Sequence, residues 1–151
     1  MADELVKPLL QIEVDLAEVL EIGKTAEGQR RMIGIRGGSF SGRIQGRVLP
    51  GGADWQLIRN DGIADISARY ILETEDGARI EVQSDGYRHG PPEVIARLAA
   101  GEEVDPATYY FRTIMRFETG APEVAWMNGV LAFSRGQRRA RQVLLDVFEI
   151  L

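Results

Sequence analysis

The chain has 151 residues, 44% of them apolar and 27% charged, with a net charge of −5. These values suit one domain, 1–151, with room for a core, and they argue against nucleic acid, whose phosphates demand a basic face. There is no cysteine and a single histidine, His89, so disulfides, thiolate catalysis and cysteine-held metals are excluded and no metal site or cofactor is expected.

The N-terminal MADELVKPLL lacks the apolar stretch of a signal peptide. No segment reaches the roughly 18 apolar residues that span a membrane. The expected address is the cytoplasm, with no membrane partner. Seventeen glycines and few helical runs point to a β protein. Leu9 to Glu18 alternates, with Leu10, Ile12, Val14 and Leu16 on one face. A polar loop is expected over Gly23 to Gly28, then a short strand from Arg31 to Ile35 closed by Gly37-Gly38. From Phe40 to Leu49, Gly42 and Gly46 suggest bends or bulges.

Pro50-Gly51-Gly52 and Asn60-Asp61-Gly62 bracket a short strand at Trp55 to Ile58. The longest strand runs from Ile63 to Thr74, and Asp76-Gly77 turns it back into Arg79 to Ser84. Pro91 to Gly101 breaks the pattern. Pro91-Pro92 suits a helix start, Val94, Ile95, Leu98 and Ala99 follow helical spacing, and Gly101 can stop it. Strands resume at Tyr109 to Glu118, with Tyr109, Phe111, Thr113, Met115 and Phe117 on one side, and at Ala125 to Ser134. Residues 140–151 fit a helix face and a strand face alike; their Val, Ile and Phe content favours strand. About eight to ten antiparallel strands in so small a chain must hide their edges, and the expected fold is all-β, a closed antiparallel barrel with one short helix around 91–101. A sandwich is the other closure.

The blocks GRVLPGGADWQLIRNDG, ISARYILETEDGARIEV, YYFRTIMRFETG and WMNGVLAFSRGQRR resemble the signature elements of a bacterial and fungal family known as domain of unknown function 3237. The likeness runs from about Leu10 to Leu151. It implies a compact antiparallel β-barrel and a strand at the C-terminus, and it implies no reaction.

Charges crowd around Trp55. Asp54, Asp61 and Asp65 could serve a polar ligand beside Arg59 or Arg69, or they could simply make turns. Turn chemistry suits Asp61 best. Asp65 lies within a strand, where Asp is disfavoured, and so has the stronger claim to a function; Asp54 stands between the two readings. Asp65 and Arg69 share a face of their strand, opposite Ala64, Ile66, Ala68, Tyr70 and Leu72. Either this polar face meets water and the apolar face fills the barrel, or the polar face lines a lumen. Arg112, beside Tyr110, could clamp a carboxylate or pair across the sheet surface. Trp55 and Trp126 read as core or as cavity walls, Asn128 as a turn residue or a ligand contact, and His89 as a solvated loop residue or an acid–base group at a barrel mouth. The basic run Arg135 to Arg141 reads as a solvated turn and strand end.

No Gly-x-Gly-x-x-Gly, P-loop or Gly-x-Ser-x-Gly is present. The expected function is a small-molecule-binding barrel, which could serve as a cofactor-free lyase, isomerase or cyclase; the sequence leaves open whether it is an enzyme. Asp65 or Asp54 would move a proton. Arg69, Arg112, Trp55, Arg59, Tyr70, Trp126 and Asn128 would hold a small polar organic ligand such as a carboxylic acid. The competing reading is a non-catalytic module that binds a partner or forms a homodimer or higher homo-oligomer. Arg69 and Arg112 directed into a lumen would favour the first, and the same residues facing water the second.

Overall fold

Alternation along nearly every strand closes into a ring. The computed structural model describes residues 4–151, so the first three residues of the N-terminal stretch read above lie outside it. Nine strands run in chain order: β1 (Val6–Thr25), β2 (Gly28–Gly42), β3 (Gly46–Val48), β4 (Ala53–Arg59), β5 (Ala64–Thr74), β6 (Arg79–His89), β7 (Tyr110–Thr119), β8 (Leu131–Arg138) and β9 (Gln142–Ile150). The helix α1 (Pro92–Ala99) lies between β6 and β7.

All pairings are antiparallel, in the order β1-β9-β8-β7-β6-β5, and β1 returns to β2. The gap between β5 and β2 is filled by β3 and β4 end to end. β2 pairs with β4 through 28–34 and with β3 through 38–40, and β5 pairs with the same two strands. Nine strands therefore occupy eight places around a barrel, a size whose interior holds side chains or one small ligand.

Period two sets what points inward. Leu10, Ile12 and Val14 of β1, Ile66, Tyr70 and Leu72 of β5, Ile80 and Val82 of β6, and Phe111, Met115 and Phe117 of β7 are all buried. One end of the barrel is solid with Leu72, Ile80, Val82 and Met115, all fully buried. The 3-10 segment Pro122–Gly129 tucks Val124 and Met127 into this core. At the other end α1 packs with Leu98 buried, and Gly101, at φ +82°, ends its last turn.

The antiparallel barrel, with one α-helix among the described residues, matches the expectation, and the ambiguous stretch 140–151 holds the strand β9. Four local expectations differ. The strand expected over Arg79 to Ser84 runs on to His89, read above as a loop residue and here paired with Tyr110 of β7. Gly23 to Gly28 is no open loop, because β1 and β2 stay paired to Thr25 and Gly28 across register shifts after Asp15, Leu16 and Glu21. Gly37-Gly38 does not end β2, since both residues keep partners on β1. Ala125 to Ser134 is not one strand. Pro122 starts a 3-10 segment, and the Asn128 side chain binds both the N–H and the C=O of Thr119, so pairing begins only at Leu131.

Candidate functional site

The lumen is polar at the α1 end because the inward phase of four strands continues past its apolar residues into long polar ones. On β2, Arg31 is in phase with Ile33 and Ile35; on β4 the inward residues are Asp54, Gln56 and Ile58. On β6, Arg88 follows Ile80, Val82 and Ser84, and on β8, Arg138 follows Ala132, Ser134 and Gly136. Register brings them together, since Arg31 lies opposite Gln56 and Ile33 opposite Asp54.

Two glycines give these side chains room. A Cβ on Gly86 would overlap the Arg112 carbonyl oxygen, so β6 and β7 approach more closely than a larger residue permits, one turn of the pleat before Arg88. A Cβ on Gly136 would stand 2.7 Å from the Phe111 ring. That ring supports Arg88, whose guanidinium carbon lies 5.5 Å from the ring centre.

The three guanidiniums of Arg31, Arg88 and Arg138 border a cavity of about 320 Å3, walled on other sides by Ile58 and by Ile95 and Leu98 of α1. None of the three forms an ion pair among the described residues; eight other arginines do, and five, Arg36, Arg112, Arg116, Arg135 and Arg141, do not. What sets the three apart is that they converge on one cavity and that Arg88 is buried. Arg31 Nε donates to Gln56 Oε1 at 2.8 Å, and Gln56 Nε2 donates to Asp54 Oδ2 at 2.7 Å. Arg138 donates to the carbonyls of Arg139 and Gln142, and its own backbone N–H donates to the Tyr109 hydroxyl. Deeper in, Ser84, Thr113 and Ser134 link their hydroxyls at 2.9 and 2.6 Å.

Burial dominates the electrostatics. It pushes the Asp54 carboxyl up to about 6, against the opposing pull of the Gln56 hydrogen bond and of Arg88, Arg138 and Arg31. It lowers Arg88 to about 10, helped by repulsion from Arg138 and Arg31. Arg138 is lowered for the same reasons, burial first and Arg31 next. The Tyr70 hydroxyl is pushed up by burial and by the neighbouring Asp54 charge. At neutral pH the mouth therefore carries three cations and one carboxylate that titrates nearby.

Of the residues singled out from sequence, Asp54 and Tyr70 reach the lumen, where both border an inner cavity of about 40 Å3. The others do not enter the lumen, although Trp55 and Arg69 line an outer groove of about 710 Å3 that Tyr70 also borders. Asp65 and Arg69 are exposed on the outer face of β5, and Arg69 pairs with Glu81 at 3.3 Å. Trp55 points outward and is 53% exposed. Arg59 binds Asp61 at 2.6 Å at the surface. Arg112 lies on the outer face against Tyr110, Trp126 is exposed near Arg43, and Asn128 serves the turn. His89 stacks on Tyr110 outside the barrel. The physical reason is the pleat: with Ala64, Ile66, Tyr70 and Leu72 inside, period two sends Asp65 and Arg69 to water. By the criterion set on Arg69 and Arg112, both outside the barrel, the non-catalytic module is favoured; the lumen nevertheless holds Arg31, Gln56, Arg88 and Arg138. Sequence reasoning passed over these four. Counting each strand's inward phase beyond its last apolar residue would have found them, Arg138 included, within the run read as a solvated strand end.

Among the described residues no three His, Asp or Glu side chains gather as metal ligands, and no helix is long and apolar enough to cross a membrane. A family model described as "Protein of unknown function (DUF3237)" matches residues 5–150. The crystal structure of a conserved protein of unknown function from Rhodopseudomonas palustris, RPA1785, is 41% identical, covers 97% of each chain and superposes with a TM-score of 0.94. A protein from Acinetobacter baumannii described as β-barrel-like is 42% identical over 99% of each chain, with a TM-score of 0.84. A chain described as an enzyme from Penicillium herquei shares the fold at 18% identity and a TM-score of 0.73, over 97% of this chain and 93% of its own.

Proposed function

The chain belongs to the DUF3237 family, and from the geometry of its barrel mouth we propose that it binds a small organic carboxylate there and moves a proton on it, as a cofactor-free lyase, isomerase or cyclase. The observation that carries this reading is the set of three guanidiniums around a 320 Å3 cavity with no carboxylate paired to any of them. Arg88 is buried and Arg31 and Arg138 are half-buried, with no carboxylate paired to them among the described residues; a buried cation without a counter-ion is costly, and an anionic ligand would complete it. Guanidinium is the group best matched to a carboxylate, through two parallel charge-assisted bonds. The volume suits a small molecule, at the lower end of the usual range of about 300–1,000 Å3.

Asp54 supplies the proton chemistry. A carboxyl near 6 is part ionised at working pH, so it can both take and return a proton. The Gln56 amide holds its Oδ2 and leaves Oδ1 free. Ile95 and Leu98 of α1 keep the mouth largely apolar on one wall, which strengthens the arginine field. The fold is compatible with catalysis, since the Penicillium herquei chain that shares it is an enzyme.

A thermal-shift screen of small carboxylic and phenolic acids tests this, on the wild type and on Arg88→Gln and Arg138→Gln. A bound acid at 100 times its Kd adds about 2.7 kcal/mol of stability. The expected result is at least one acid that stabilises the wild type and neither variant. Glutamine keeps an amide donor at each position, and far-UV circular dichroism checks that both variants remain folded. Stabilisation that persists in both variants, or no response across the panel, would remove the mouth as the binding site.

A further inference from the structure

Two polar atoms of the lumen have no partner among the described residues: Asp54 Oδ1 and the Tyr70 hydroxyl oxygen. Both residues border the inner cavity of about 40 Å3, whose other walls include Val14, Leu16, Ile66 and Phe111. An unpaired buried polar atom costs about 1–3 kcal/mol, so two that share one cavity call for an occupant. The space is close to that of one small oxygen-bearing group; a water molecule takes about 30 Å3 of liquid. The apolar walls exclude a second charged group.

The two orphaned atoms select the chemistry of the oxygen. Tyr70 stays protonated, because burial and the Asp54 charge both oppose its ionisation, so it offers a hydrogen bond. Asp54 offers a base. Asp54 and Gln56 are two residues apart on β4, about 7 Å along the strand, and Gln56 is the residue that Arg31 binds. Gln56, bonded to both Arg31 and Asp54, stands between the two cavities, so a molecule that displaces its amide would reach from the arginines to the inner cavity.

We infer that the inner cavity receives the carbonyl oxygen of a short oxo acid whose carboxylate rests on Arg31, Arg88 and Arg138, and that the protein shuttles a proton at the carbon beside that carbonyl. This rests on the anion-binding reading of the mouth and adds the reacting group. The Asp54 carboxylate takes the proton from that carbon. The C–H electron pair becomes the new C=C bond, the carbonyl π pair moves onto oxygen, and the oxygen accepts the Tyr70 hydrogen bond. The proton then returns from Asp54 to the same carbon or to a conjugated one, giving exchange or isomerisation with no other reactant. Tyr70 acts where charge develops, and such a preplaced donor contributes more to the transition state than to binding.

The test follows loss of proton signals beside the carbonyl by NMR in D2O, with the full chain and a panel of short oxo acids. Tyr70→Phe, Asp54→Asn and Arg88→Gln are run alongside. The expected result is catalysed exchange of at least one acid, abolished in Asp54→Asn. In Tyr70→Phe, kcat falls about 100- to 1,000-fold while KM stays nearly constant. Tyr70→Phe removes an orphaned hydroxyl, so it folds, and its thermal-shift response to the acid persists. Acids that stabilise the protein yet never exchange overturn this inference and leave the mouth reading standing. Exchange that is indifferent to Tyr70→Phe also overturns it, and marks the cavity as a seat for structural water. Failure of every acid to bind overturns both.

Discussion

Replacing Asp54 by asparagine should make the protein more stable at pH 8 and leave it unchanged near pH 4. Burial raises the folded-state pKa from 3.8 to about 6. Between these values the folded protein holds a proton that the unfolded chain has released, so stability falls as pH rises through this window. A shift of about two units corresponds to about 3 kcal/mol, at about 1.4 kcal/mol per unit. The whole of that penalty is present above pH 6 and absent below pH 4. Asparagine resembles the protonated acid, and its amide oxygen can still accept from Gln56 Nε2, so the variant escapes the penalty. For a chain of this length, the gain at pH 8 translates to about 6–12 °C in Tm. Urea unfolding of both proteins from pH 4 to pH 8 reads the effect as a difference, and titrations common to the two cancel. If the wild type instead gains on the variant as pH rises, the three arginines need the carboxylate more than burial opposes it, and the reasoning fails.

Arg69→Ala and Asn128→Ala separate the lumen from the outer surface, and neither should alter the thermal-shift response to a bound acid. Arg69→Ala should also keep stability within about 0.5 kcal/mol, because its pair with Glu81 is exposed. Asn128→Ala should cost about 1–2 kcal/mol through its two lost bonds to Thr119. A lost ligand response in either would move the site outside the barrel. Gly86→Ala should destabilise by about 1–3 kcal/mol, since the new methyl meets the Arg112 backbone, and it should weaken the acid response by shifting Arg88. Unchanged denaturant and ligand curves would mean that β6 and β7 have slack at that point.

The sequence was most legible where one face of a strand is uniformly apolar. Ala64, Ile66, Tyr70 and Leu72 announce the inner face of β5, Asp76-Gly77 announces its hairpin, and Pro91-Pro92 to Gly101 announces α1. Asp54 and Tyr70 were legible as candidates and lie in the lumen. The dense charges of Asp65, Arg69, Arg59 and Asp61 lie on the outer side of the sheet, away from the lumen. Charges that crowd along one chain segment mark a solvated face as readily as a pocket. Arg31, Gln56, Arg88 and Arg138 are scattered over four strands, and nothing in a single segment groups them.

Local pattern by itself determined that this chain forms antiparallel strands with an apolar inner phase, because side-chain alternation is a property of each strand alone. It also determined that the strands would have to close, because so many edges in so short a chain would otherwise lie open. Only the tertiary structure decided what shares the hollow. Cross-strand register and the place of α1 bring residues 31, 54, 56, 88 and 138 together, three guanidiniums without an ion-pair partner among the described residues, and burial there raises the pKa of the Asp54 carboxyl. Those properties come from lost solvation and from neighbours distant in sequence, and neither exists until the ring is shut.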